Sequence, residues 1–273
     1  MLKNILLIIM DSARYDVVAA AKTPNMDQLG TLERRWSYSS WTFPAHHVFL
    51  MGLMPHKSPT RIHASNVYRQ EYSQWQQRTG IKEINFSDFT PQLSLPLFLQ
   101  KRGFRNEALV SMPVLNPATN LNQYFHRYLL MEKHNDFSGM IEMIHPVPGQ
   151  PTFYFLNLGE THYPYSIQGA DEEDMPHLHG VHGTLKHFPE PESGEWFSDD
   201  QFQSMKQAQQ RAVAAIDQYL PVLLHKFKGL PTHVIITADH GELFGEGGCF
   251  GHGPIQHPKV FEVPFLEGEL PTE

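Results

Sequence analysis

The chain has 273 residues, 41% apolar and 12% aromatic, with a formal charge of −8 and no basic run. That is enough apolar material for a sizeable core and lies within the range of one α/β domain. It argues against nucleic acid as a partner, because phosphate-backbone binding draws on clustered Lys and Arg, and the single cysteine, Cys249, excludes an internal disulfide or a multi-cysteine zinc site.

The first element is a strand over 4–10, which runs straight into Asp11. With its flanks it is only about half the usual length of a signal peptide and has no small-residue cleavage site. No membrane span is found, and one cysteine is compatible with a reducing compartment, so a cytoplasmic protein is expected. Thr23-Pro24-Asn25-Met26-Asp27-Gln28-Leu29 opens a helix, with Pro near the first turn. Ser40-Trp41-Thr42-Phe43-Pro44-Ala45-His46 places a hydroxyl in a short turn before a helix over 44–53. An amphipathic helix over 94–102 ends at Gly103, a C-cap signal.

Strands over 106–112 and 152–158 follow, and the second leads into Gly159-Glu160-Thr161-His162-Tyr163-Pro164-Tyr165. The stretch 165–200 is rich in Pro, His, Gly and acids. Its His177, His179, His182 and His187 are too irregularly spaced for one helix face. We expect a variable loop or lid over the metal face there, against the plainer reading of a solvated loop. The longest helix spans 201–228, broken near Pro221 and ended by Gly229. A strand over 233–238 stops at Asp239-His240-Gly241-Glu242, and a weaker one spans 260–266. The apolar runs lack clean alternation, as buried parallel strands do. The strand–helix alternation predicts an α/β domain over 1–273 with helices on both faces of a mainly parallel sheet.

Ligands of such a sheet gather outside the carboxyl ends of its strands. Asp11 and Asp239-His240, from opposite ends of the chain, are therefore expected to meet at one edge. Asp11 alone also reads as a helix cap, and Asp-His-Gly alone as a structural Asp beside a surface His. The apolar strand before each favours the ligand reading. Arg14 is a candidate for contact with an anionic substrate or for holding Asp11; the plainer role is an ion pair with Asp16 or another acid. Thr42 by itself is an ordinary buried hydroxyl. Beside the Asp-His pair it becomes a candidate nucleophile, since a cation lowers its pKa. His162 and His252, the latter between Gly251 and Gly253, are candidates for a second metal or for substrate oxygens, and Glu160 for a further carboxylate. Lone histidines are more often surface or satisfied core residues.

Asn4 to Asp16, Thr23 to Leu29 and Trp41 to His56 together resemble the opening of sulfatase-like enzymes of the alkaline phosphatase superfamily. Later landmarks recur in order: Glu160 to Tyr165, the helix around Val213 to Asp217, Thr237 to Glu242, Gly251 to Gly253, and Val260 to Pro264. The resemblance implies a doubly wound α/β fold, in which a metal-bound nucleophile attacks a phosphate or sulfate ester. Three features depart from true sulfatases. Thr42 stands where Cys or Ser is converted to formylglycine, and His46 stands at the Arg of that motif. Asp11-Ser12 replaces paired acids, and Asp239-His240 replaces Asp-Asn. All three resemble the phosphoryl-transfer branches, which use threonine with zinc or manganese. The chain also ends soon after Val263-Pro264, so a minimal core is expected.

These readings predict a metal-dependent hydrolase of phosphodiesters or phosphomonoesters, with a small anionic ester as substrate. Asp11, Thr42, Asp239 and His240 would bind the first cation, with His162 and His252 at a second cation or the substrate. Imidazole with carboxylate suits zinc or manganese better than calcium; calcium and magnesium remain open. The alternatives are a sulfatase working without formylglycine, and a catalytically reduced member that binds a metal or an anion.

Overall fold

Strand β1 (Asn4–Met10) is apolar along its length because both of its faces are covered. Leu6, Ile8 and Met10 enter one core layer, while Leu7 and Ile9 enter the other, as alternation across a pleated strand requires. Each such side chain taken out of water stabilises the fold by about 1.5–3 kcal/mol before entropy is counted. The structure is a computed structural model and describes residues 2–52, 77, 80, 91–166, 186–187, 197–253 and 255–271.

In chain order the remaining strands are β2 (Glu33–Trp36), β3 (Arg105–Val110), β4 (Arg127–Leu130), β5 (Thr152–Leu158), β6 (Lys186–His187), β7 (Thr232–Thr237), β8 (Leu243–Phe244), β9 (Cys249–Gly251) and β10 (Glu262–Leu270). Seven of them form one sheet in the order β2-β10-β7-β1-β5-β3-β4. Pairing is parallel from β7 to β4, whereas β10 runs antiparallel to both β7 and β2. Helices α1 (Tyr15–Ala20), α2 (Met26–Leu29), α5 (Phe137–Glu142) and α6 (Asp199–His225) pack on one face. Helices α3 (Thr42–Met51) and α4 (Leu95–Gln100) pack on the other. This is the expected doubly wound α/β architecture. A short helix, α7 (Pro258–Phe261), precedes β10. A small sheet, β6-β9-β8, lies beside the main one, and its Phe244 and Phe250 pack with Phe202 and Met205 of α6.

Four features differ from the sequence expectations. Strand β2 has the polar, exposed sequence Glu33-Arg34-Arg35-Trp36, so it carries no apolar signature. The expected strand over 106–112 stops at Val110: the Met112 amide turns to the Asn157 side chain at 3.1 Å, and the Ser111 amide is shared between that side chain at 3.2 Å and the Asn157 carbonyl at 3.1 Å. The weak strand over 260–266 begins after α7 and extends to Leu270.

Helix α6 is not broken at Pro221. Proline lacks the N–H that would bond the carbonyl four residues earlier. That carbonyl belongs to Asp217, and the Asn25 side chain donates to it at 3.0 Å. The Asp217 carboxylate in turn accepts from the Asn25 and Met26 amides at 3.1 and 2.7 Å, which caps the start of α2. The loop expected over 165–200 lies outside the described residues, including His177, His179 and His182, except for 165–166, the two-residue strand β6 and 197–200. Strand β6 pairs with β9, which runs into His252.

Candidate metal centre and active site

The register of the sheet assembles the site. Strand β1 lies between β7 and β5, with Ile9 opposite Thr237 and Met10 opposite Leu158. The segments after all three strands therefore emerge at one edge. They carry Asp11, Asp239-His240 and Glu160-Thr161-His162. Ligand atoms of Asp11, Asp239 and His240 all lie within 4.8 Å of one another, and the three residues are fully buried.

Each of these side chains is oriented by partners. Asn157, near the end of β5, donates to Asp11 Oδ2 at 2.9 Å, and the Ser12 hydroxyl donates to Asp11 Oδ1 at 3.2 Å. The Asp239 Oδ1 atom accepts from the amides of Ser12 and His240 at 3.1 and 2.9 Å. Ser12 reaches it from a left-handed backbone, φ 61°, which is uncommon outside glycine. His240 Nδ1 donates to the Gly241 carbonyl at 3.0 Å, which leaves Nε2 with its lone pair. Such a bond to the other ring nitrogen is how a ligating imidazole is held in one tautomer. His240 Nε2 stands 3.3 Å from Asp239 Oδ2.

Thr42 is the first residue of α3 and is buried. Its Oγ1 lies 3.3 Å from Asp11 Oδ1 and 3.2 Å from His240 Nε2. The expected set Asp11, Thr42, Asp239 and His240 is thus one cluster. His46, one turn along α3, donates from Nδ1 to the Thr42 carbonyl at 2.9 Å and stands 3.8 Å from Asp239 Oδ2.

The electrostatics fit a cation. Two carboxylates are buried side by side. Burial, and then the Asp11 charge, push the Asp239 carboxyl well above its usual value. Burial opposes ionisation of Asp11 as well, but His162, His240, His46 and the Asn157 amide together hold it below the carboxylate norm. Burial lowers His240 to about 4 against the pull of Asp11. It lowers His252 well below the usual range, with His240 and His162 adding to the effect. Neutral imidazoles and an ionised carboxylate are the forms that bind metal. Asp239 Oδ2 is buried with no hydrogen-bond partner, an orphan that a cation would satisfy.

His162 and His252 belong to the same cluster. The His252 ring centroid lies 4.3 Å from that of His240 and 5.3 Å from that of His162. They are 9% and 8% exposed where Asp11, Asp239 and His240 are 0%, so they mark the open side. His162 Nδ1 donates to the Tyr163 carbonyl at 2.8 Å.

Two candidates turn elsewhere. The Arg14 guanidinium binds Asp16 through Nε and Nη2, each at 2.9 Å, and Glu246 through Nη1 at 2.7 Å. It is taken up by the ion pair weighed from the sequence and by a second acid. Glu160 Oε1 accepts from the Phe137 amide at 2.7 Å, at the start of α5. Sequence reasoning missed Asn157, whose signal was an amide inside the apolar run of β5. It also gave no sign of Gln209 on α6, whose side-chain amide reaches the Ser12 and Thr161 carbonyls and Glu242.

The sulfatase family model matches residues 3–266. The chain belongs to the sulfatase family. No curated protein matches the chain significantly. Among solved structures, the C-terminal periplasmic domain of EcEptC from Escherichia coli in complex with Zn is 13% identical, covering 99% of this chain and 73% of that one at a TM-score of 0.56. Phosphonate monoester hydrolase of Agrobacterium radiobacter is 15% identical, covering 97% and 68% at 0.61. The soluble domain of lipooligosaccharide phosphoethanolamine transferase A from Neisseria meningitidis is 13% identical, covering 99% and 78% at 0.62. At these identities the likeness is one of fold. No helix among the described residues is long and apolar enough to cross a membrane. Within the sulfatase family, this member carries Thr42, Asp11, Asp239 and His240 together at the carboxyl edge of its sheet.

Proposed function

We propose that the chain is a metal-dependent hydrolase of phosphate esters, diesters or monoesters, with Thr42 as nucleophile. The observation that carries this reading is the position of Thr42 Oγ1, within 3.3 Å of both Asp11 Oδ1 and His240 Nε2. Asp11, Asp239, His240 and Thr42 would hold one cation, zinc or manganese by their donor chemistry. When bound, the cation lowers the pKa of the hydroxyl and neutralises charge on the phosphoryl oxygens.

The remaining chemistry belongs to the side chains. Thr42 Oγ1 forms the bond to phosphorus while the bond to the leaving alkoxide breaks. Its proton is lost to solvent water, because Asp11 and His240, the two groups within reach, would hold the cation. Thr42 also opens a ten-residue helix, whose N-terminal amides and dipole favour an anion there. His162 and His252, on the open side, face the non-bridging oxygens or a second cation, and the leaving alkoxide takes its proton from water. Water then cleaves the phospho-threonine ester and releases the phosphate. The phosphonate hydrolase and the phosphoethanolamine transferase among the fold neighbours support a phosphorus centre. The transferase adds that an acceptor other than water can complete such a cycle.

One observation favours a second reading, that of a reduced member which binds a cation or an anion without turnover. Ser12 stands where a second acid would complete a two-metal set, and its hydroxyl bonds to Asp11 at 3.2 Å and faces His252 Nδ1 at 3.5 Å. Turnover of bis-p-nitrophenyl phosphate, p-nitrophenyl phosphate and p-nitrophenyl sulfate, each with added zinc or manganese, separates the readings. Phosphate-ester turnover supports the hydrolase. Turnover of the sulfate alone supports a sulfatase, and metal binding without turnover the reduced member.

A further inference from the structure

Gln209 lies in the middle of α6 and is fully buried. Its Nε2 donates to the Ser12 carbonyl at 3.0 Å, to the Thr161 carbonyl at 2.9 Å and to Glu242 Oε1 at 3.0 Å. Its Oε1 accepts from the Arg14 amide at 3.4 Å. These partners belong to the loops after β1, β5 and β7. Ser12 adjoins Asp11, Thr161 adjoins His162, and Glu242 lies two residues past His240. Glu242 is itself fully buried and sets Oε2 3.8 Å from His252 Nδ1.

The face of α6 around Gln209 is otherwise apolar, with Met205, Ala208, Ala212 and Val213 all buried. A buried amide is costly unless its hydrogen bonds are made. Here all of its partners are site loops. A catalytic constellation needs its groups held to within about 0.5 Å.

We propose that Gln209 is a positioning residue that locks the three ligand-bearing loops in mutual register. The inference rests on the metal-site reading above. It assigns Gln209 no contact with substrate or cation.

The test compares Gln209→Glu, which keeps the shape but loses the donor, and Gln209→Asn, which keeps the amide but shortens its reach. Leu220→Ala, a cavity on the same helix in the core layer away from the site, serves as the control for stability loss alone. Two readouts are taken on the whole chain: zinc affinity by competition with a chromogenic chelator, and amide hydrogen exchange of metal-free protein in segments 11–16, 159–166 and 239–246. The expected result is at least tenfold weaker zinc binding and faster exchange in all three segments for both Gln209 variants. Leu220→Ala should keep zinc affinity within threefold at an equal or greater fall in Tm. Unchanged exchange in the three segments for either Gln209 variant, or an equal loss of zinc affinity in Leu220→Ala, overturns the proposal. Wild-type protein that binds no zinc would strike the metal reading, while the exchange data still decide the role of Gln209.

Discussion

Thr42 Oγ1 lies 3.2 Å from Nε2 of His240, although 198 residues separate the two in sequence. One stands at the N-terminus of α3 and the other just past the end of β7. Their approach follows from the parallel pairing of β1 with β7, which places Asp11 between them. We expect Thr42→Ala to abolish phosphate-ester turnover, with a Tm change of only a few degrees, because the lost hydroxyl and methyl remove little packed volume. Thr42→Ser should keep part of the activity, since the hydroxyl remains. Wild-type turnover by Thr42→Ala would assign the attack to another group.

Arg14 should matter for stability more than for substrate. Its side chain is 2% exposed and is held by Asp16 and Glu246. Removing one partner of a buried ion pair costs about 3–5 kcal/mol. Lys206 and Lys259 still face Asp16 at 3.5 and 3.0 Å, which places Arg14→Ala nearer 2–3 kcal/mol. Arg14→Lys should recover little, because a single ammonium cannot span both acids. Denaturant unfolding reads the cost, and KM for any turned-over ester should stay within a few-fold. A large KM rise with unchanged stability would return Arg14 to the substrate.

Burial raises Glu160 from 4.5 to about 7, despite the opposing bond from the Phe137 amide. Below pH 4.5 the carboxyl is protonated in both folded and unfolded chains and costs nothing. Between 4.5 and 7 the unfolded chain releases the proton that the folded chain keeps, so stability falls as pH rises. Above 7 the cost stays constant. Glu160→Gln cannot titrate, so relative to wild type it should gain about 2 kcal/mol between pH 5 and pH 8, at 1.36 kcal/mol per unit. Urea unfolding of metal-free protein at the two pH values checks this; parallel behaviour of the two proteins would show that Glu160 is ionised at its normal pKa.

The bond from Asn25 to the Asp217 carbonyl predicts a coupling with Pro221. Asn25→Ala should cost about 1–2 kcal/mol, the cost of an unsatisfied buried acceptor and a weakened cap. In a Pro221→Ala background the restored N–H supplies the missing helical bond, and the cost of Asn25→Ala should fall by about 1 kcal/mol. A double-mutant cycle in denaturant measures this difference. Strict additivity would mean that the carbonyl is satisfied in some other way.

The same contact shows where sequence reading stopped. Proline signals a helix break locally, but the partner that repairs α6 at Pro221 lies 192 residues away along the chain. Gln209 has no local signal either, being one polar residue on a long amphipathic helix. Its function follows only from three loops meeting beside it. Strand β2 is polar and exposed, so it carries no periodicity to read. By contrast β1, β5 and β7 are covered on both faces, and their unbroken apolar runs state that directly. Asp11 and Asp239 were legible because each interrupts such a run at its carboxyl end, where parallel sheets place ligands. Arg14 was legible as a charge, but its second partner, Glu246, lies far away in sequence.

The central claim is that Asp11, Asp239 and His240 close on one cation beside Thr42. A crystal structure of zinc-replete protein, with data collected at the zinc absorption edge, tests it most directly. The account predicts one anomalous peak about 2.0–2.2 Å from Asp11, Asp239 and His240 ligand atoms, with Thr42 Oγ1 in the same coordination shell. A zinc peak at other residues, or none near these three under zinc-replete conditions, would contradict it.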